Sequence, residues 1–136
     1  MLTTFMSANL IEILKEDYKR FPEGQTYSIY DENVHFKDPV YDFHGLEKYK
    51  EMISFLKRWF SNLKLEVHEI YQANDQINTR WTMSWNSPLP WKPFISVSGR
   101  SELKIKNNLI VAHYDYWDCS VFDVIKQHFV FPRKSK

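Results

Sequence analysis

The chain has 136 residues, 18 basic and 17 acidic side chains, a formal net charge of +1 and an aromatic content of 17%. That length gives one domain, residues 1–136, with room for a sizeable core, and the balanced charge leaves no electrostatic footprint for nucleic acid or an anionic membrane. Three glycines exclude a Gly-rich phosphate loop, and the single cysteine, Cys119, excludes an internal disulfide and a Cys-based zinc site.

The opening residues, MLTTFMSANLIEIL, lack a basic start, a long apolar run and a small-residue cleavage site, so no signal peptide is expected. With cysteine used once, the expectation is a reducing, cytoplasmic setting. No apolar stretch is long enough to span a membrane. Asn9 and Glu12 fit a capping box opening a first helix, with Ser7 as a competing cap. Leu10, Leu14, Tyr18 and Phe21 share one face of that helix, and Pro22 and Gly24 end it. A short second helix over residues 25–31 carries Tyr27 and Tyr30 inward, and a strand over 33–38 follows. Gly45 marks a turn into a third helix, 46–60. Its stripe of Leu46, Tyr49, Ile53, Leu56 and Phe60 is surrounded by charge.

From Leu63 the period changes to two. Leu63, Leu65 and Val67 alternate with Lys64, Glu66 and His68, and Ile70 breaks the phase, which predicts a β-bulge at His68–Glu69. Asn74-Asp75 is a turn. Ile77, Thr79, Trp81, Met83 and Trp85 then alternate with polar residues, ahead of a proline-rich loop over 86–93. Residues 94–106 and 109–118 are two more strands joined at Asn107-Asn108, where asparagine tolerates positive φ. A short helix over 121–129 closes the chain, and the basic tail of Arg133, Lys134 and Lys136 reads as a solvated end. Helices ahead of an antiparallel meander give an α+β fold with the helices on one sheet face.

Val34, Phe36 and Asp38 alternate onto one face of the first strand, so a carboxylate follows two core residues. A buried carboxylate is costly unless it is paired or kept neutral. Asp38 is therefore either hydrogen-bonded within a turn at Val40–Tyr41 or poised as an acid/base. Trp81, Met83 and Trp85 form a stripe that serves as core or pocket wall. On the last strand Tyr114, Tyr116 and Asp118 share one face and His113, Asp115 and Trp117 the other. We assign the first face to a pocket and the second to a homodimer interface. His113-x-Asp115 is too small a set for a metal site. His35 lies opposite the inward face of its strand, His68 sits near the bulge, and His44 precedes a helix start. No HExxH, serine elbow or Cys/His dyad is present.

The element order, with Asp38-Pro39-Val40 and Gly45 opening a helix, resembles the nuclear-transport-factor-2-like superfamily over about residues 9–129, and Asp38-Pro39, Gly45, Ser98-Gly99-Arg100 and Tyr116-Trp117-Asp118 resemble features of one family within it. That superfamily includes SnoaL-like polyketide cyclases and ketosteroid isomerases, and the nearest resemblance is to an uncharacterised family of cyanobacteria and plastids. The resemblance implies a cone, in which a curved mixed or antiparallel sheet wraps around N-terminal helices and leaves a pocket. It places the isomerases' general base at Asp38, a group whose tuning depends on desolvation. It also puts Leu14 and Ser101 where the isomerases have their oxyanion donors, which argues against steroid isomerisation. The cyclases' acid/base aspartate falls at Asp118, with Gln127 following, but their histidine falls at Lys104. Asp118 also suits the N-cap of the closing helix.

Three functional readings follow. The favoured one is a cone that binds a small hydrophobic molecule, without catalysis, cofactor or metal. Its pocket would be lined by Phe36, Tyr41, Trp81, Met83, Trp85, Tyr114 and Tyr116. The second is a lyase or isomerase using Asp38 or Asp118 as acid/base. The third is a protein–protein module presenting the sheet face and the loop Pro88–Pro93, with Trp91 as anchor.

Overall fold

Alternation from Leu63 onward condenses into four long antiparallel strands, joined by the two short turns and the proline-rich loop marked in the sequence. In the computed structural model, which describes residues 2–130 and side chains from Asn9 onward, the order is α1 (Leu2–Lys19), a 3₁₀ turn (Tyr27–Ile29), β1 (Tyr30–Lys37), β2 (Asp42–His44) and α2 (Leu46–Trp59), then β3 (Ser61–Ala73), β4 (Gln76–Asn86), β5 (Phe94–Lys106), β6 (Leu109–Trp117) and α3 (Val121–Gln127). The basic tail at 133–136 lies outside the described residues. The six strands form one mixed sheet in the order β2-β1-β6-β5-β4-β3, in which β1 runs parallel to β6 and every other pair is antiparallel.

Asn74 and Asn107-Asn108 all take positive φ at the hairpin turns, as expected of asparagine. The predicted bulge is present: Val67 pairs with Trp81 and Glu69 with Arg80, leaving His68 as the extra residue. Gly45, with φ of 117°, is the N-cap of α2, a backbone conformation that side chains rarely adopt. Its amide donates to the Val34 carbonyl at 2.9 Å, which ties the helix start to β1.

Three local expectations need correction. The capping box at Asn9 does not exist, because α1 already begins at Leu2 and Asn9 is an exposed residue inside it. The second helix shrinks to one 3₁₀ turn, because Tyr30 enters the sheet opposite Ile110 of β6. β2 was not anticipated: three residues show no period, and pairing of Phe36 with Phe43 defines it.

α1 and α2 pack on the concave face of the sheet. Leu10 and Leu14 of α1, Tyr49 and Ile53 of α2, and Val34, Phe36, Ile77, Leu103 and Ile110 of the sheet make one buried cluster. A second cluster, Trp81, Trp85, Ile95 and Val97, is covered by Val124 of α3. Where β6 ends, the Ser96 amide and carbonyl of β5 are taken by Gln127 of α3, at 2.7 and 3.0 Å. Ser120, not Asp118, caps α3. It accepts from the Asp123 amide while Asp123 accepts from its own, a capping box that holds the Asp123 carboxyl below its ordinary value. The proline-rich loop folds back on the same corner, with the Trp91 indole donating to the His128 carbonyl at 2.6 Å. Trp91 thus anchors its own loop rather than standing ready for a partner.

Candidate functional site

Between the concave sheet face and the three helices lies a cavity of about 280 Å³. Its walls are mainly aromatic and aliphatic. Tyr18 comes from α1 and Phe21 from the turn after it, Met52, Phe55 and Leu56 from α2, Leu65 and Val67 from β3, and Val124 from α3. Trp81, Met83 and Trp85 of β4 all face it, as do Phe36 of β1 and Tyr41 of the β1–β2 turn.

Asp38 lies at the end of β1, half-buried in this lining. The fold uses one of its oxygens: Oδ1 accepts from the amides of Val40 and Tyr41 at 2.7 and 2.5 Å. Burial pushes its carboxyl above the ordinary value, the two amides oppose that, and the charge of Asp115 adds to the rise. The turn-capping role and a place in the cavity wall therefore coexist.

The face assigned on β6 is the reverse of the expected one. His113, Asp115 and Trp117 line the cavity, while Tyr114 and Tyr116 lie on the outer face. The cause is an unanticipated bulge. Ile105 of β5 pairs with Ile110, but Lys104 pairs with Ala112, so Val111 is an extra residue and the alternation slips by one. The Tyr114 hydroxyl instead meets His35 Nδ1 at 3.0 Å, and Tyr116, 41% exposed, lies under the Arg100 guanidinium at 4.2 Å. Asp118 is exposed beside Arg80 at 3.3 Å and is not part of the cavity lining. The dimer face expected at His113 and Trp117 is therefore interior surface. The unbroken apolar run Leu109-Ile110-Val111-Ala112, where alternation fails, was the sequence signal of this slip.

Register then assembles a polar group inside the cavity. Ser101 of β5 sits opposite both Thr79 of β4 and Asp115 of β6. The Trp81 indole donates to Ser101 Oγ at 2.8 Å, and Ser101 donates to Asp115 Oδ1 at 2.5 Å. His113 Nε2 lies 2.7 Å from the same oxygen, and since a carboxylate only accepts, Nε2 carries the proton. His113 Nδ1 is buried without a partner, its ring packed between Phe36 and Tyr49 at centroid distances of 5.0 and 5.9 Å. Gly99 makes room for this arrangement: a Cβ there would lie 2.4 Å from the Tyr116 carbonyl and 3.1 Å from the Trp81 ring. Leu14 is fully buried in the core, and the α1 residue that reaches the cavity is Tyr18, one turn on. Burial drives the phenols of Tyr18 and Tyr49 well up, so both hold their protons. Sequence reasoning missed His113, Asp115, Trp117, Tyr18 and Tyr49 as cavity residues.

His35 pairs with Asp42 at 2.6 Å and stacks on His44 at 4.1 Å, and His68 meets Thr82 at 2.8 Å, all away from the cavity lining. Among the described residues no three His, Cys, Asp or Glu side chains gather as metal ligands. No helix among them is long and apolar enough to cross a membrane.

Solved structures share this architecture. A protein of ketosteroid-isomerase-like fold from Catenulispora acidiphila DSM 44928, in complex with trimethylamine, matches with TM-score 0.71 and 14% identity over 89% of this chain and 94% of its own. A SnoaL-like protein from Jannaschia sp. CCS1 matches with TM-score 0.73 and 10% identity over 90% and 92%. An LEH-like epoxide hydrolase of M. tuberculosis matches with TM-score 0.69 and 10% identity over 92% and 90%. At these identities the likeness establishes the fold, a nuclear-transport-factor-2-like α+β cone, and leaves activity to the site. No curated protein sequence matches at a significant level. Residues 8–113 match the family described as uncharacterized conserved protein (DUF2358), and the chain belongs to that family.

Proposed function

We propose that this domain binds one small, mainly apolar molecule in the cavity between its sheet and helices. The observation that carries this reading is the cavity itself. It holds about 280 Å³ in a region otherwise packed with large aromatic side chains, which could have closed it. A mostly apolar wall with a few convergent polar groups is the usual make-up of a small-molecule site. The trimethylamine complex of the Catenulispora protein supports small-molecule binding in this fold.

The test is calorimetric titration of a panel of small apolar compounds into the protein and into Met83→Trp, which fills the cavity. Saturable binding that the tryptophan abolishes, while the fold persists by circular dichroism, is the expected result. Binding that Met83→Trp leaves unchanged, or no saturable binding by any compound, would remove this reading.

One observation favours a second reading, proton transfer at Asp38. Its carboxyl is held above the ordinary value inside the cavity, and the Tyr18 phenol supplies a donor where the sequence match offered only Leu14. If Asp38 moves a proton, the protein catalyses solvent-deuterium exchange next to the carbonyl of a bound ketone, and Asp38→Asn abolishes it. Exchange that survives the substitution would exclude that role.

A further inference from the structure

We propose that the molecule bound in the cavity is a protonated amine on an apolar body. This rests on the ligand-binding reading above and names its chemical class.

Among the described residues the lining holds two carboxylates, Asp38 and Asp115, and neither lysine nor arginine. The one basic side chain among those residues is His113, bonded to Asp115 at 2.7 Å. Even a doubly protonated His113 leaves the wall with a net negative charge. Lys37 is exposed and borders an outer cleft that shares Asp38, Asp115 and Trp117 with the cavity, but it does not itself line the cavity.

Both carboxylates are half-used in the same way. Asp38 Oδ1 holds the Val40 and Tyr41 amides, and Asp115 Oδ1 holds Ser101 and His113. Neither Oδ2 accepts a hydrogen bond among the described residues. Neither is fully buried, because the side-chain atoms both buried and unpartnered among the described residues are Thr79 Oγ1 and His113 Nδ1. Two carboxylate oxygens without hydrogen-bond partners therefore belong to residues of the aromatic wall, at its border with the outer cleft. An ammonium N–H satisfies such an oxygen with a charge-assisted bond, and Trp81, Trp117, Phe36 and Tyr49 of the lining are ring types that attract a cation.

Other head groups fit less well. A carboxylate ligand would meet two like charges. A ketone or ester needs donors, and two donors of the wall are already engaged: the Trp81 indole by Ser101, and the Ser101 hydroxyl by Asp115. The phenols of Tyr18 and Tyr41 serve any polar ligand alike and do not discriminate.

The experiment titrates three probes of one body and different heads, 2-phenylethylamine, 2-phenylethanol and phenylacetate, by calorimetry at neutral pH. The amine is expected to bind more than about tenfold more tightly than the alcohol, and phenylacetate more weakly than either. Asp38→Asn keeps the turn, because an amide oxygen still accepts from Val40 and Tyr41. It should weaken the amine by about tenfold or more and leave the alcohol within about twofold. Asp115→Asn should also weaken the amine selectively, provided circular dichroism shows it folded. If the alcohol or phenylacetate equals the amine, or if Asp38→Asn leaves the amine's preference intact, the ligand class is wrong while the binding reading stands. If no probe binds and the wider panel also fails, both readings fall.

Discussion

Ser101→Ala is the sharpest test of how the cavity wall is held. One hydroxyl does two jobs: it accepts from the buried Trp81 indole at 2.8 Å and donates to Asp115 at 2.5 Å. Removing it leaves a buried N–H donor without its acceptor, a loss of about 1–3 kcal/mol. It also takes a charge-assisted bond from Asp115, about 1.5–3 kcal/mol. The two losses overlap, since the methyl leaves some room for relaxation, so the expected destabilisation is about 2–4 kcal/mol. For a domain of this size that lowers Tm by on the order of 10 °C. Urea unfolding followed by circular dichroism measures it without relying on Trp81 fluorescence. A double-mutant cycle isolates the indole bond. In a Trp81→Phe background the donor is already gone, so Ser101→Ala should cost about 1 kcal/mol less than in the parent. Equal costs in the two backgrounds, or a Tm change under about 2 °C for Ser101→Ala, would refute the network as the element that fixes Asp115 and Trp81.

Asp38→Ala removes the acceptor for two turn amides and should cost about 1–2 kcal/mol, whereas Asp38→Asn keeps that acceptor and should be nearly neutral in mid-acid solution. The pH dependence has a definite sign. Burial raises the folded-state pKa above 3.8, so the native state holds its proton more tightly than the unfolded chain does. Stability from this group is then present below the ordinary carboxylate value and falls as pH rises through the raised one. Parent minus Asp38→Asn stability should show that fall, and a flat difference across the acid range would contradict the assignment. Gly99→Ala should destabilise by about 1–3 kcal/mol, because the new methyl meets backbone at Tyr116 rather than a side chain that can swing away. An unchanged Tm for that variant would mean the strand has more freedom than its contacts imply.

Much of the fold was legible because local chemistry and global pairing agree. The bulge at His68 announced itself through Ile70, the hairpins through asparagines that tolerate positive φ, and the α2 start through Gly45. Asp38 was legible as a residue with two possible duties, and it has both a capped turn and a cavity position. What escaped depends on partners far away in sequence. β2 exists because Phe43 finds Phe36, and β1 starts early because Tyr30 finds Ile110. Trp91 looked like a free anchor because nothing nearby in sequence shows that the His128 carbonyl lies within its reach.

The slip at Val111 carries the larger consequence, because it selects the chemistry of the cavity. With strict alternation from Ile110, β6 would have presented two phenols and the Asp118 carboxylate inward. With one extra residue it presents an imidazole, a carboxylate and an indole instead. The carboxylate then falls opposite Ser101, which was already committed to that face by its register with Thr79. Neither strand alone encodes the Ser101–Asp115–His113 group, since each supplies residues that would read as ordinary surface or core. It arises where the phase of one strand is shifted against its neighbour, so a single-residue insertion decides whether the second carboxylate of this cone faces a ligand or solvent.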